Sequence, residues 1–395
     1  MLKGKTILLG VTGGIAAYKA AALASALVKQ HAYVEVVMTK NATQFITPLT
    51  FEQLTGNRTI IDTFDRNYVH QVEHISLAER TDLVIIAPAT ANVCAKIAHG
   101  LADDMLTTTV LACKCPKLIA PAMNTNMYEN PVTQDNLHLL RKYGWEVIPP
   151  VSGRLACGAV GTGKLPEPED ILQYIMRTVA LPHDLSGKTV LVTAGATQEA
   201  LDPVRYITNH SSGKMGCAIA EAAMLRGASV KLICGGVTTQ IPAFVQVIET
   251  KSAQDMFDAV VTHAPCADYV FMAAAVADYT PLNYSDDKMK KQDSDLNIPL
   301  KRTTDILAWL GANRRNDQVI CGFSMETNNL IENSRTKLLK KNVDMICANN
   351  LREEGAGFGV DTNVITLITK DATQELPLKS KKEIAHLIID KAQTL

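Results

Sequence analysis

The chain has 395 residues, a formal net charge of −1 and 47% apolar residues. That length predicts two domains, each with its own core, and the near-neutral charge excludes a general pull toward nucleic acid or an anionic membrane. Nine cysteines without a paired framework suit a reducing cytoplasm better than secretion.

Gly13, Gly14 and Lys19 interrupt the apolar N-terminal run, which therefore reads as strand, turn and helix rather than as a signal peptide. No uninterrupted apolar stretch is long enough to span a bilayer, so a soluble, cytoplasmic protein is expected. In the first half Lys5–Gly10 predicts a strand, Val11–Gly14 a turn and Ile15–Lys29 a helix. Further strands are predicted at Tyr33–Met38, Asp82–Ala87, Lys117–Pro121 and Glu146–Ile148, and a helix at Asp170–Ala180. Polar residues gather at the carboxyl ends of these strands, where an open parallel sheet binds ligands. The turn does not match G-x-G-x-x-G, and no acidic residue caps the second strand. One phosphate at the helix N-terminus, with Thr39 and Thr90 nearby, suits a mononucleotide better than a nicotinamide dinucleotide.

Taken singly, His74 reads as a surface or capping residue, Asn124 as a turn former and Cys157 as a small buried hydrophobe. The glycines around Cys157 suggest instead a mobile flap carrying a thiol that gives or takes a proton. Cys113 and Cys115 have no second pair at zinc spacing and read as structural. The motifs TGGIAAYK, HISL, APATAN, PAMNTNMY and LACG run in order through the first half, which resembles the flavin-dependent cysteine decarboxylases, in particular those acting on phosphopantothenoylcysteine.

The resemblance implies bound FMN, with a phosphate seat at Thr12, Gly13 and Gly14. It implies further contacts from Thr39, Ala89, Thr90, Ala91 and Asn92. His74 would act as acid/base or orienting group, Asn124 would hold the substrate carboxylate, and Cys157 would protonate the product. Direct loss of CO₂ from a cysteine amide leaves a carbanion with nowhere to delocalise. Flavin oxidation of the thiol to a thioaldehyde supplies the missing electron sink. Ala159 and Thr162 depart from the family pattern, standing where an acidic residue and a proline are common.

A short segment, Leu181–Ser186, joins the halves, giving expected domains 1–186 and 187–395. The second half opens as the first does, GKTVLV at Gly187 echoing GKTILL at Gly4. After the strand Thr189–Thr193 comes a long polar loop with Arg205, Asn209, His210, Ser211, Ser212 and Lys214, then a helix at Met215–Arg226. Ordinary connections are short, so this loop reads as a site. Strands follow at Ser229–Cys234, Tyr269–Met272, Met345–Ala348 and Val364–Thr369. Ser252 with Asp255, and Ser380 with Glu383, predict capped helices at Ser252–Thr262 and Lys381–Lys391. The small residues after Met272 allow close approach of a ligand, and Asp278 is placed to hold a metal or a hydroxyl. Basic clusters at Lys288, Lys290, Lys291 and at Lys337, Lys340, Lys341 point to a polyanion such as a triphosphate.

DPVRYITNHSSGKMG, AAAVADY, KMKK, GFSMETNN and KKNVDMICANN resemble the phosphopantothenate–cysteine ligases. With both halves considered, the chain resembles the bacterial bifunctional enzymes of coenzyme A biosynthesis. The resemblance implies two α/β domains, each with a mainly parallel sheet: a Rossmann-like, flavodoxin-type flavoprotein domain and a Rossmann-like ligase domain. It implies CTP held by Met272, Ala273, Ala274, Asp278, Lys288, Thr304, Asp305, Ile306, Leu307, Phe323, Lys337 and Lys341, with Mg²⁺ bridging the phosphates near Asp278. Asn209 would position an acyl-cytidylate made from 4′-phosphopantothenate, Lys288 would neutralise charge during its formation, and the amine of L-cysteine would attack it. A homo-oligomer is expected, since such decarboxylases build their sites at subunit contacts. Ala196, Ala200 and the Thr303–Thr304 pair depart from this family's pattern. Two rival readings are a flavin-binding regulatory protein without catalysis and a NAD(P)-dependent oxidoreductase.

Overall fold

In a computed structural model the chain forms two compact units, Met1–Pro182 and His183–Leu395. The division falls inside the segment read as a junction. The structure describes residues 1–64, 72–154, 158, 160–290, 296–326, 329–350, 357 and 359–395.

The first unit is built on five strands: β1 (Thr6–Val11), β2 (Tyr33–Met38), β3 (Leu83–Ala89), β4 (Lys117–Pro121) and β5 (Trp145–Val147). They lie in the order β2-β1-β3-β4-β5, every pair parallel. This is the flavodoxin-type order, and it reverses between β1 and β3. The strands are apolar on both faces, so the two-residue side-chain period sends alternate residues into two cores. Ile7, Leu9, Val11, Leu83 and Ile85 join one core. Leu8, Val84, Ile86 and Ile119 join the other. Helix α1 (Ala17–Lys29) covers the first core with Ala20, Leu23, Ala24 and Leu27, the i, i+3, i+4, i+7 stripe of an amphipathic helix. Leu27 is wholly buried, and truncating such a leucine to alanine costs about 2–5 kcal/mol.

The second unit carries β6 (Thr189–Ala194), β7 (Ser229–Cys234), β8 (Gln246–Glu249), β9 (Tyr269–Met272), β10 (Val319–Glu326), β11 (Met345–Asn350), β12 (Ile365–Thr369) and β13 (Thr373–Glu375). Their order is β8-β7-β6-β9-β10-β11-β12-β13. The pairs from β8 to β11 are parallel, and the last two are antiparallel. Chain direction across the sheet reverses between β6 and β9. Both predicted capping boxes form, at Ser252 with Asp255 and at Ser380 with Glu383.

At the amino ends of the strands the two units share one device. The Asp82 carboxylate accepts from the Thr6 N–H at 2.7 Å, and Asp268 accepts from the Thr189 N–H at 2.7 Å. Each aspartate thereby fixes the register of the strand it precedes against the first strand of its unit. Among the described residues no helix is long and apolar enough to cross a membrane.

Arg226, nearly buried at the end of helix Lys214–Leu225, ties the start of the second unit to its end. Its guanidinium donates to Asp184 at 2.9 Å and to Asp390 at 2.6 Å. Arg226→Met is expected to destabilise this unit by about 1–2 kcal/mol in urea unfolding at pH 7. Arg226 holds the Asp184 carboxyl below its ordinary range. That stabilisation is complete above the unfolded-state value, about 3.9, and is lost as pH falls through the lower folded-state value. The gap between variant and wild type therefore narrows on acidification below that value. A gap that stays constant into strong acid would assign the loss to packing instead.

Candidate active sites

The first site lies where strand order reverses in the first unit. The Thr12 hydroxyl, wholly buried just past β1, donates to Pro88 O at 2.7 Å and accepts from the Thr90 N–H at 3.0 Å. It thus laces together the carboxyl ends of β1 and β3. Thr39, at the end of β2, donates its N–H to Val11 O at 3.0 Å, and its hydroxyl accepts from the Ala42 N–H at 3.3 Å. Gly13 packs so closely on this turn that an added Cβ would lie 2.5 Å from the Asn41 Cβ, so no larger residue fits without displacing one loop. Two helix N-termini open here. Thr90 caps Ala91–Ala98 by accepting from Val93, whereas α1 has neither a side-chain cap nor an acidic residue in its first turn. The positive end of α1 is therefore uncompensated, and the backbone is bare enough for a phosphate to approach. Thr12, Gly13, Gly14, Thr39, Ala89, Thr90, Ala91 and Asn92 all fall at the ends of these three adjoining strands or at the start of the helix after β3. They fit the phosphate end of a flavin mononucleotide.

Asn124 lies one strand further along, past β4. The loop that carries it is joined to β3 by Ala122 N–H to Ala89 O at 2.9 Å. Its side chain accepts from the Asn126 N–H at 2.9 Å and caps Thr125–Glu129. Above it sits an antiparallel hairpin of strands Val151–Arg154 and Val160–Lys164, fastened by Met123 N–H to Gly163 O at 3.0 Å. Gly161 rests on Thr125, where an added Cβ would lie 2.6 Å from the hydroxyl oxygen. The hairpin's two strands bracket in sequence the glycine-flanked segment read as a flap. Cys157 and Ala159, between the two strands in sequence, lie outside the described residues. His74 is half-buried in the first turn of helix Glu73–Arg80, a helix held by Arg80 to Glu35 at 2.7 Å. Among the described residues no hydrogen bond joins His74 to Thr12 or Asn124.

Cys113 and Cys115 sit at the amino end of β4, away from the strand ends that form the site. The neighbouring Cys113 thiol holds the Cys115 thiol below its ordinary value, against the effect of burial. Among the described residues no group of three or more His, Cys, Asp or Glu side chains is placed to hold a metal.

The second site is a cavity of about 750 Å³ over the carboxyl ends of the second sheet. Threonine hydroxyls again cross the reversal of strand order. Thr193 accepts from the Ala274 N–H at 3.1 Å, and Thr197 accepts from the Ala277 N–H at 3.0 Å. Met272, Ala273, Ala274 and Asp278 line the cavity past β9, and Phe323 does so from β10. Thr304, Asp305, Ile306 and Leu307 enter at the start of helix Ile306–Asn313, which Asp305 caps by accepting from the Ala308 N–H at 3.0 Å. Lys341 pairs with Asp305 at 2.8 Å, and Lys337 donates to Phe323 O at 3.0 Å. Burial pushes the Asp305 carboxyl up, but Lys341 and the Ala308 N–H outweigh it and hold the group below its ordinary value. Asn209 reaches across to donate to Ala275 O at 3.2 Å.

The structure therefore gathers the nucleotide residues expected from sequence around one cavity, apart from Lys288. Lys288 is exposed on a loop beyond the lining, a loop anchored by Asp202 through the Met289 N–H at 3.1 Å and by Arg205 through Met289 O at 2.7 Å. Sequence reading missed Asn349, Asn363 and Lys381, which also line the cavity. Lys381 reads in sequence as the solvated first residue of a helix, so only the fold reveals its burial.

A flavodoxin-order sheet with a bare helix N-terminus at its reversal, in one chain with a mainly parallel sheet that opens into a basic cavity, defines a two-domain α/β enzyme for phosphate-bearing ligands. Residues 1–180 match the family described as Flavoprotein, and residues 185–395 match the DNA/pantothenate metabolism flavoprotein C-terminal domain. The coenzyme A biosynthesis bifunctional protein CoaBC of Bacillus subtilis (strain 168) is 46% identical, covering 100% of this chain and 98% of its own length. The CoaBC protein of Escherichia coli (strain K12) is 40% identical, with the same coverage. The crystal structure of the C-terminal domain of a CoaBC protein is 41% identical, with TM-score 0.46, covering 53% of this chain and 95% of that one. The chain belongs to the family of bifunctional coenzyme A biosynthesis proteins, and its first half is a flavoprotein domain.

Thr12→Val strands two buried backbone groups, Pro88 C=O and Thr90 N–H. It is expected to lower stability by about 2 kcal/mol in urea unfolding and to reduce the visible absorbance of flavin retained through purification. An unchanged unfolding midpoint would show that the strand ends hold together without the hydroxyl.

Proposed function

We propose that this bifunctional enzyme of coenzyme A biosynthesis ligates L-cysteine to 4′-phosphopantothenate in residues 187–395 and decarboxylates the product in residues 1–186. What supports the ligase half is that one cavity collects, from separate chain segments, a small-residue strand end, two lysines and a capped helix N-terminus. Lys337 and Lys341 supply positive charge for the phosphates of CTP, and the alanines past β9 let the nucleotide approach the backbone closely. Mg²⁺ typically uses one or two carboxylates with substrate phosphates completing its shell, and Asp278, exposed at the cavity wall, fits that role. A carboxylate resists attack by an amine at neutral pH. Making it an acyl-cytidylate, with loss of pyrophosphate, provides the leaving group. Asn209, beside the same strand end, positions the acyl group, and Lys288 neutralises charge during cytidylyl transfer.

In the first half FMN, when bound, supplies reversible two-electron chemistry at the substrate's thiol-bearing carbon. The chain's own residues bind, orient and move protons. Thr12, Gly13 and Gly14 seat the phosphate at the start of α1, with Thr39 and Ala89–Asn92 around it. Asn124 holds the substrate carboxylate, His74 orients it or exchanges a proton, and Cys157 protonates the product. The flap hairpin that carries Cys157 is fastened to the Asn124 loop at Met123, which supports their acting on one substrate. Copies of the chain assemble into a homo-oligomer in the cytoplasm.

The test supplies 4′-phosphopantothenate, cysteine and Mg²⁺ with CTP or ATP, and follows pyrophosphate and CO₂ together. Both products are expected with CTP. Lys341→Gln is expected to cut pyrophosphate release at least tenfold while leaving CO₂ release from supplied phosphopantothenoylcysteine intact; Asn124→Asp and Cys157→Ser are expected to do the reverse. Absence of pyrophosphate with either nucleotide would sink the ligase assignment.

A further inference from the structure

The residues assigned to the nucleotide come from the ends of β9 and β10 and the helices that follow them. They leave one end of the cavity unused. That end is lined by Lys381, Asn349 and Asn363. Strand pairing brings the three together: Asn349 on β11 lies opposite Ile365, Asn363 precedes that strand by two positions, and Asn363 pairs with Lys379 just before Lys381.

Two of these groups have hydrogen-bonding capacity that the described residues do not satisfy. Lys381 is 7% exposed, and its ammonium donates to two backbone carbonyls, Val360 at 2.6 Å and Gly357 at 3.1 Å. An ammonium has three N–H donors, so one remains. Among the described residues no carboxylate bonds to it, and Asp361 is engaged by Lys214 at 2.7 Å. Asn349 is likewise 7% exposed, and its Oδ1 has no hydrogen-bond partner among the described residues. A buried cation short of a counter-ion and a buried acceptor short of a donor are costly unless a ligand completes them.

We propose that Lys381 and Asn349 form the seat of the amino-acid cosubstrate, Lys381 taking its α-carboxylate and Asn349 Oδ1 accepting from its amino group. The two unspent capacities, one cationic donor and one neutral acceptor, match the two ends of an α-amino acid. Burial first, and Lys214 second, hold the Lys381 ammonium below its ordinary pKa, with Asp361 opposing them. The inference rests on the ligase reading of this cavity. In the step it serves, the amine nitrogen forms a bond to the acyl carbon, and the bond from that carbon to the cytidylate oxygen breaks. The electron pair leaves on cytidine monophosphate, and the ammonium gives up two protons to solvent in all.

The test separates the two half-reactions in the full-length enzyme. Pyrophosphate release from CTP and 4′-phosphopantothenate reports acyl-cytidylate formation, and amide formation is then compared for cysteine and cysteamine, which lacks the carboxylate. Wild type is expected to favour cysteine by at least tenfold in kcat/KM. Lys381→Met is expected to raise the KM for cysteine at least tenfold and bring that preference close to unity. Asn349→Leu is expected to raise KM for both amines at least fivefold and leave the preference in place. If Lys381→Met does not fold, Asn349→Leu carries the test alone. Wild-type selectivity in Lys381→Met, unchanged amine KM values in Asn349→Leu, or a rise confined to the KM for 4′-phosphopantothenate would overturn the assignment. Absence of pyrophosphate release by wild type would overturn the ligase reading along with it.

Discussion

A buried threonine hydroxyl laid across the reversal of strand order is the interaction on which each site depends. A parallel sheet that reverses direction leaves two neighbouring strand ends whose helices depart to opposite faces, and a crevice opens between them. A side-chain bond between the two strand ends helps to hold that crevice to a fixed width. Thr12 does so in the first unit by accepting from Thr90, and Thr193 does so in the second by accepting from Ala274. At the opposite end of the same strands Asp82 and Asp268 accept from Thr6 and Thr189. Each unit is thus pinned at both ends of its first strand, so the likeness of GKTILL to GKTVLV extends to the bonds those strands make.

The parts legible in the sequence were those set by local physics. Tyr33–Met38, Lys117–Pro121, Ser229–Cys234 and Tyr269–Met272 announce themselves as apolar runs and form strands with those bounds. Both capping boxes need only a side chain and a backbone N–H three residues apart. The flap hairpin was not legible as strands, because Val151–Arg154 and Val160–Lys164 are glycine-rich and largely exposed, and only cross-strand pairing orders them. β10 was seen only as a motif, since its place between β9 and β11 depends on partners distant in sequence. The same limit hid Asn349 and Lys381. Their significance lies in bonds left unmade, and no sequence pattern encodes those.

Among the described residues the departures from the family patterns are absorbed locally. Thr303 donates its hydroxyl to Ala277 O at 2.6 Å and its N–H to Asp278 O at 3.0 Å, binding the turn before Asp305 to the end of β9. The helix cap and the Lys341 pair therefore survive the change. Thr162 meets Ser152 across the hairpin at 2.9 Å, a contact proline could not make. Ala200 sits in a short strand opposite Tyr206, and Ala196 is buried between bridges to Gly236 and Ala275.

What differs between the units is the chain between first strand and first helix, and this sets what each crevice can hold. In the first unit only residues 12–16 intervene, so the helix N-terminus follows the strand end closely. In the second, residues 195–213 intervene and fold into their own ribbon, Gln198–Ala200 against Tyr206–Thr208. The Thr208 hydroxyl donates to Thr197 O at 2.8 Å and keeps this ribbon against the strand end, so the added chain walls the crevice instead of filling it. The second crevice becomes a cavity of about 750 Å³. The first keeps the short connection, with the uncapped start of α1 next to the strand end. One sheet device, with a short or a long connection, yields both.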